Sequence, residues 1–305
     1  MQLTTPDVQP VGRHMLGLPL KSITLGSGEI SYIDAGSGPT ILLLHGAPVT
    51  ALGFVRVVRE LQAHYRVIAP DLPGFGRSTM SPGFASSLAG YAGFVEEFCR
   101  ALRLTGFFAY VNDASGCFGL SALARLARDV AGIVVASTVP VPIDGRAWIV
   151  RPILEYIVGS RLVRFLNRRF NLLPWLVARV APLLRPFPPE ERAVLLAQFD
   201  TPEKRDRVID VFVQMGQQDE FMRATAASVA ERLAAIPALL LYGQFDPMRL
   251  IGGVARWKRL FRRNTVAIIP LEEHFPILAS GERVARAIRS WIQTLEKTPK
   301  PPWRT

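Results

Sequence analysis

The chain has 305 residues, 49% of them apolar, which is enough for one large domain with an insertion or for two small domains. No stretch stays apolar and uncharged for the roughly 18 residues that a membrane-spanning helix requires, and residues 1–10 lack the basic start and apolar core of a secretory signal. The net charge is +11, yet no nucleic-acid-binding motif accompanies it. Two cysteines, Cys99 and Cys117, are too few for a disulfide framework and indicate a reducing, cytoplasmic location.

Short apolar runs alternate with helical patterns through the first part of the chain. Residues 22–25 and 29–33 flank a Gly-Ser-Gly turn and predict a β-hairpin. Further strands are predicted at 40–44, 65–70, 107–112 and 132–136, with helices at 51–63, 88–102 and 114–128 between them. Continuous apolar strands separated by helices are typical of a mainly parallel sheet that helices cover on both faces.

The alternation stops between residues 139 and 235, where helical patterns punctuated by prolines contain no convincing strand. It resumes with strands at 238–242 and 265–269 and helices near 250–262 and 281–296. The chain therefore predicts an α/β core formed by residues 1–138 and 236–305. Residues 139–235 are expected to form an inserted helical cap domain.

Four polar segments follow predicted strands. They are His45-Gly-Ala-Pro48, the turn at 113–116, Gly243-Gln-Phe-Asp-Pro247 and Glu272-Glu-His-Phe-Pro276. Ligands of open α/β sheets bind at the carboxyl ends of the strands, where these segments meet. Their order, a nucleophile candidate, then an acid, then a histidine, resembles the α/β-hydrolase fold over nearly the whole chain, the cap included.

The resemblance implies a nucleophile on the sharp turn after the central strand, and two residues compete for that place. The family register, counted from the helix end at 102–106, puts Asp113 at the tip of the turn. Ser115 would require a strand two residues longer. One departure is Val111, where the family usually has a small residue. We favour Asp113; the alternative without chemistry is a turn aspartate at a helix N-terminus.

An aspartate nucleophile changes the expected substrate. A carboxylate that attacks a saturated carbon forms an ester, which water can cleave, whereas a serine would form a stable ether. The resemblance then implies that His274 activates the water and that Asp246 orients the histidine. The backbone N–H groups of Ala47 and Ala114 are expected to hold the oxyanion. The expected reaction is displacement at a carbon–halogen bond or an epoxide, without metal or organic cofactor.

The sequence departs from the haloalkane dehalogenases at their halide donors. These enzymes typically carry Trp after the nucleophile and often Asn after His-Gly, where this chain has Ala114 and Ala47. Replacement donors are predicted among Asn112, Trp148 and Trp175, and these three residues and Tyr156 are predicted to line the substrate pocket.

Two other aspartate branches fit incompletely as well. Epoxide hydrolases usually protonate the epoxide with two cap tyrosines, but Tyr156 is the only tyrosine between 139 and 235. Fluoroacetate dehalogenases carry arginines just after the nucleophile; here only Arg146 or Arg151 could substitute. Two other classes therefore stay open: a serine-type esterase that uses Ser115, and a non-hydrolytic lyase, cyclase or ligand-binding protein.

Three further expectations concern charged residues. Glu272 and Glu273 adjoin His274 too closely in sequence to orient its ring and are expected to be solvated. A basic cluster, Arg161, Arg164, Arg168 and Arg169, follows helical spacing and is either a solvated helix face or a contact for an anionic membrane or acidic partner. The expected partner of the apolar cap is a small, mainly apolar substrate; the oligomeric state is open.

Overall fold

A computed structural model of the chain describes residues 14–179 and 189–297, and nine strands within these ranges form one sheet. The strands are β1 (His14–Met15), β2 (Leu18–Leu25), β3 (Gly28–Ala35), β4 (Thr40–Leu44), β5 (Arg66–Pro70), β6 (Phe107–Asn112), β7 (Val130–Ala136), β8 (Ala238–Gly243) and β9 (Asn264–Ile269). Every strand predicted from an apolar run recurs at its expected position. Among the strands of the described ranges, the two-residue β1 is the one that was not predicted.

The strands lie in the order β1-β2-β3-β5-β4-β6-β7-β8-β9. The pairs from β1 to β3, and the pair β3–β5, are antiparallel, whereas all pairs from β5 across to β9 are parallel. Central strand β6 lies between β4 and β7, with Val111 opposite Leu44 and Asn112 opposite Ala136. The carboxyl ends of these three strands therefore meet at one edge of the sheet.

Three helices precede the long insertion: α1 (Val55–Leu61), α2 (Leu88–Ala101) and α3 (Ser115–Arg125). A 3-10 helix at Ala51–Phe54 leads into α1. The Ser87 side chain accepts the Gly90 N–H and so caps the first turn of α2.

The segment between β7 and β8 contains only helices within its described ranges, 137–179 and 189–237. These are a 3-10 turn (Gly145–Ala147), α4 (Val150–Pro152), a π-helical segment (Ile153–Val158), α5 (Arg161–Phe170), α6 (Leu172–Arg179), α7 (Pro189–Ala197), α8 (Pro202–Gln217), α9 (Asp219–Ser228) and a second π-helical segment (Val229–Leu233). The segment is joined to the core by Gln214, whose side chain accepts the Leu88 N–H at 3.0 Å and donates to the Ser86 carbonyl at 2.6 Å. Arg56 also pairs with Glu191 at 3.0 Å. Its status as a separate cap domain stays a prediction.

After β8 the chain forms α10 (Pro247–Leu250), α11 (Gly253–Leu260), α12 (Pro276–Ala279) and α13 (Gly281–Glu296). Every residue of β6 and of β8 is buried. Because successive side chains of a strand point to opposite faces, both faces of the sheet are covered. The predicted architecture, a mainly parallel sheet with helices on both faces, is confirmed. Helices long and apolar enough to cross a bilayer are absent from the described ranges.

Candidate active site

Asp113 occupies the turn between β6 and α3 and is the first residue beyond the strand. Its φ of +49° lies in the left-handed region that few residues other than glycine adopt. Two hydrogen bonds to its carbonyl stabilise this backbone, one from the Thr138 hydroxyl at 2.6 Å and one from the Gly116 N–H at 3.1 Å. The family register put Asp113 at the tip of a sharp turn, and the backbone turns sharply at this residue.

The helix after the turn packs closely against β6 and β7. A Cβ on Gly116 would stand 2.0 Å from the Thr138 hydroxyl, and one on Gly119 would stand 2.9 Å from Val111 Cγ1. Gly119 therefore provides the room that the larger Val111 requires. The departure from the family pattern at Val111 is compensated one helical turn into α3, without distortion of the strand pairing at that residue.

The loop after β4 approaches the Asp113 carboxylate through its backbone. The Ala47 N–H donates to Asp113 Oδ1 at 2.9 Å. A side chain at Gly46 is excluded, because its Cβ would lie 2.5 Å from Asp113 Cβ and Oδ1. Ala114 is the N-cap of α3, at the helix end where backbone N–H groups have no partner within the helix. Of the two alanines predicted to form an oxyanion hole, Ala47 contacts the carboxylate through its N–H, and the role of Ala114 stays a prediction.

The buried side chain of His45 holds the loop after β4 in place. It is fully buried, its Nε2 accepts the Leu72 N–H at 3.0 Å, and its Nδ1 lies 2.8 Å from the Gly46 carbonyl. These partners define a neutral ring with its proton on Nδ1, and burial lowers the pKa of His45 to about 4. His45 thus shapes the loop after β4.

Asp71 holds the next layer of the same region. Its carboxylate accepts the N–H groups of Ala51 at 2.8 Å and Arg77 at 3.0 Å. Burial raises the pKa of Asp71 to about 6, against the opposing effect of these bonds. Asp71 is therefore a structural part of the turn formed by residues 71–78.

The two strands on the other side of β6 supply the acid and the histidine. Gly243 ends β8, and a Cβ there would stand 2.1 Å from the Glu273 carbonyl, so only glycine lets the loop that carries His274 come this close. The Phe245 N–H donates to the Glu272 carbonyl at 2.9 Å and joins the two loops. As a result, His274 Nδ1 lies 2.9 Å from Asp246 Oδ1.

His274 bridges two carboxylates. Its Nε2 lies 3.4 Å from Asp113 Oδ2, on the side opposite Asp246. Burial, the largest single influence, lowers the pKa of His274, but the charge of Asp246 and the hydrogen bonds to Asp113 and Asp246 outweigh it and raise the pKa to about 10. Asp246 itself is fully buried and also accepts the Met248 N–H at 2.8 Å. The two carboxylates therefore favour the protonated form of the His274 ring.

Ser115, the rival nucleophile, lies beneath the turn. It is fully buried at the start of α3, and its Oγ accepts the Asn112 N–H at 2.8 Å. The same hydroxyl is 2.8 Å from the carbonyls of Leu44 and Asn112, so backbone groups account for its hydrogen-bonding capacity. This position suits a side chain that ties β4, β6 and α3 together rather than one presented to a substrate.

The residues predicted to line the substrate pocket have contrasting environments. Asn112 is buried, and its Oδ1 has no hydrogen-bond partner among the described residues. Trp148, Tyr156 and Trp175 of the insertion are all exposed. Their assignment to the pocket stays a prediction.

The two arginines considered as carboxylate holders also differ. Arg151 is engaged within the insertion, with the Gly216 carbonyl at 3.2 Å and with Asp219 at 3.3 Å. Arg146 is exposed in the 3-10 turn. A substrate carboxylate would have to compete with the present partners of Arg151.

One expectation about this region is wrong. Glu272 was expected to be solvated, but it is buried and accepts a hydrogen bond from the Ser280 hydroxyl, with Arg283 at 3.9 Å. Glu273 is half-buried. Glu272 anchors the histidine loop to the start of α13, which its proximity to His274 in sequence could not reveal.

Sequence reasoning also missed Thr138, which holds the Asp113 backbone. Its own carbonyl accepts the Tyr242 hydroxyl at 3.0 Å, so the contact links the turn to β8 as well. The available signal was position alone, since Thr138 follows β7 at the edge where the other site residues lie.

Comparison with known proteins agrees with this geometry. Residues 41–287 match the model of the alpha/beta hydrolase family, and the chain belongs to that family. Haloalkane dehalogenase 2 of Mycobacterium tuberculosis is 26% identical over 267 residues, which cover 86% of this chain and 90% of that protein.

Two solved structures share the fold over almost their whole length. A haloalkane dehalogenase of Bradyrhizobium elkani has a TM-score of 0.78 at 20% identity and covers 92% of this chain and 99% of its own. An epoxide hydrolase has a TM-score of 0.77 at 17% identity, with 91% and 99% covered. The likeness to these two structures is one of fold, and the curated relative that matches along the chain is a haloalkane dehalogenase.

Proposed function

We propose that the protein is a hydrolase in which Asp113 displaces a leaving group from a small apolar substrate and forms a covalent alkyl ester. The observation that carries the proposal is the different setting of the two Asp113 oxygens. Oδ1 accepts the Ala47 N–H at 2.9 Å, whereas Oδ2 is 3.4 Å from His274 Nε2. One oxygen is held in place by the backbone, and the other is available for attack.

In the first step, Asp113 Oδ2 donates an electron pair to the substrate carbon while the bond to the leaving group breaks. The leaving group departs with the bonding pair. Hydrogen bonds from Thr138 and Gly116 fix the Asp113 backbone in the turn between β6 and α3. This positioning aligns the carboxylate for the displacement. The products of the step are an Asp113 ester and the released anion.

In the second step, water attacks the carboxyl carbon of the ester and His274 Nε2 accepts a proton from it. Ester formation removes the negative charge of Asp113, one of the influences that raise the pKa of His274. The ring can then lose its proton and act as a base, while Asp246 stabilises the cation that forms again. The developing oxyanion is Oδ1, which already accepts the Ala47 N–H. Collapse releases the alcohol and restores the carboxylate.

The site favours a halide as the leaving group, because a halide departs as an anion and does not need to be protonated. An epoxide oxygen needs a proton as it leaves, and the one tyrosine of the insertion, Tyr156, is 70% exposed. The two positions at which haloalkane dehalogenases often carry halide-donating side chains are occupied here by Ala47 and Ala114, both of which are buried. We therefore expect kcat/KM to fall from alkyl iodides to bromides to chlorides. Each change of halide should lower kcat/KM by about tenfold or more, which corresponds to about 1.4 kcal/mol of activation free energy.

A substrate panel tests the proposal. Wild-type protein is assayed for halide release from matched 1-iodo-, 1-bromo- and 1-chloroalkanes, for diol formation from epoxides and for p-nitrophenol release from esters. Halide release that D113A abolishes supports the proposal. Ester cleavage alone would instead favour a serine-type esterase, and thermal stabilisation by ligands without turnover of any compound would favour a binding protein.

Isotope labelling separates the two hydrolytic routes. In a single turnover in oxygen-18 water with enzyme in excess, the proposed mechanism puts the label into the Asp113 carboxylate, and the alcohol keeps an unlabelled oxygen from Asp113. Direct attack of water on the substrate would label the alcohol instead.

A further inference from the structure

Large apolar side chains are exposed on the helical insertion. Tyr156 and Ile157 of the first π-helical segment are 70% and 60% exposed, and Leu162 and Phe165 of α5 are 66% and 61% exposed. Scattered apolar residues are normal on protein surfaces, but neighbouring ones of this size mark interaction sites. We define the cap patch as Tyr156, Ile157, Leu162 and Phe165 together with Arg161 and Arg169, which are also exposed.

Helix α5 has an inverted amphipathic arrangement. Its polar side faces the protein, where Arg164 pairs with Asp210 at 2.7 Å and Asn167 donates to the Arg205 carbonyl at 2.6 Å. Leu162 and Phe165 lie on the opposite side of the helix, at the i, i+3 spacing of a continuous stripe. A surface helix of a protein that meets only water normally directs its apolar side inward, so this stripe requires another explanation.

The exposed sides of the first π-helical segment and of α5 both face away from α8. Both elements pack on α8, through Gly159 against Val213 and through Asn167 against the Arg205 backbone. Tyr156 and Ile157 immediately precede the Gly159–Ser160 junction, and Leu162 follows it. The two elements thus follow each other across a short turn, and large apolar side chains are exposed on both.

Positive charge accompanies the apolar side chains of the cap patch and favours an anionic partner. Arg168 is paired with Asp206 and Glu203, but Arg161 and Arg169 have no carboxylate partner among the described residues. Arg169 lies over the Phe170 ring, 5.2 Å from its centre. A symmetric contact with a second copy would bring two positively charged patches together, since a two-fold interface pairs each patch with the same patch. An anionic surface satisfies both the apolar and the cationic groups, and the chain carries a net charge of +11.

We propose that the cap patch docks the protein on the surface of an anionic lipid bilayer. Tyr156, Ile157, Leu162 and Phe165 would enter the boundary between headgroups and acyl chains, and Arg161 and Arg169 would contact lipid phosphates. The proposal is independent of the chemistry at Asp113, because it concerns only the outer face of the insertion.

Vesicle flotation with the full chain tests the proposal. The probes are vesicles of phosphatidylcholine alone and vesicles with about 30% phosphatidylglycerol. We expect flotation with the anionic vesicles at low salt and at least a fivefold loss in L162Q/F165Q and in R161E/R169E. The matched control is R263E/R286E, which changes two exposed core arginines and the net charge by the same amount, and it should float like the wild type.

Three outcomes would overturn the proposal. They are absence of flotation with anionic vesicles, an equal loss in R161E/R169E and R263E/R286E, and a wild-type dimer by light scattering that L162Q/F165Q converts to monomer. The last result would assign the cap patch to a second copy of the chain. Melting curves of each variant, compared with the wild type, separate loss of docking from loss of folding.

Discussion

Gly46 and Asp113 approach so closely that a Cβ on Gly46 would lie 2.5 Å from Asp113 Cβ. This contact brings the Ala47 N–H to 2.9 Å from Asp113 Oδ1. A methyl group added at Gly46 would therefore displace the loop and its Ala47 N–H donor from the Asp113 carboxylate.

We expect G46A to displace the loop and to lower turnover by about 10²-fold, the scale on which a misplaced oxyanion donor or a 1 Å displacement acts. The measurement is steady-state halide release, with circular dichroism to verify folding. Gly83 provides the control, because a Cβ there has nothing within 4 Å. Equal activity of G46A and G83A would show that the close approach is not required.

Val111 and Gly119 should be energetically coupled. A Cβ on Gly119 would lie 2.9 Å from Val111 Cγ1, so G119A overfills the space between α3 and β6 and should cost about 1–3 kcal/mol of stability. In the V111A background the same change should cost at least about 1 kcal/mol less. Denaturant unfolding of the four proteins gives the coupling, and strictly additive effects would contradict the packing argument.

Thr138 is a positioning residue, because it acts on the Asp113 backbone and not on substrate. Loss of its hydroxyl in T138V removes the 2.6 Å hydrogen bond to the Asp113 carbonyl and should cost about 1–2 kcal/mol of stability. We expect kcat to fall severalfold with KM nearly unchanged, and T138S to restore it. If T138V loses stability but keeps the wild-type kcat, the contact has a structural role alone.

His274 should make the free energy of unfolding depend on pH. Its pKa in the folded protein, about 10, lies above the ordinary value of 6.5, so the folded state binds the proton more tightly. The resulting stabilisation is complete below pH 6.5 and is lost as pH rises through about 10. The stability of the wild type relative to H274Q should therefore fall by about 1–3 kcal/mol between pH 7 and pH 9. H64Q, which removes an exposed imidazole, is the control, and parallel curves for wild type and H274Q would refute the assignment.

Much of the core could be predicted because its strands are buried on both faces. The continuous runs at 40–44 and 238–242 contain no charged residue, and both recur within one residue of their predicted ends. The helix predicted at 281–296 is found at those bounds. The position of Asp113 on the turn after β6 came from the register of the family that the chain resembles.

The remaining features depend on contacts between distant segments. The burial of Glu272 requires Ser280 and Arg283 from α13, and the place of Thr138 depends on how β7 lies beside β6. Local sequence carries neither contact. The exposure of Tyr156 likewise depends on which side of its π-helical segment packs against α8, whereas composition indicated only an apolar insertion.

The most direct test of the proposed covalent mechanism is the mass of H274Q after incubation with a 1-iodoalkane. Without the imidazole, the ester should form but should not be hydrolysed. We predict that intact-mass spectrometry shows a gain of one alkyl group and that peptide mapping assigns it to Asp113, whereas D113A/H274Q gains none. An unchanged mass of H274Q together with halide release by the wild type, or an alkyl group on another residue, would contradict the account.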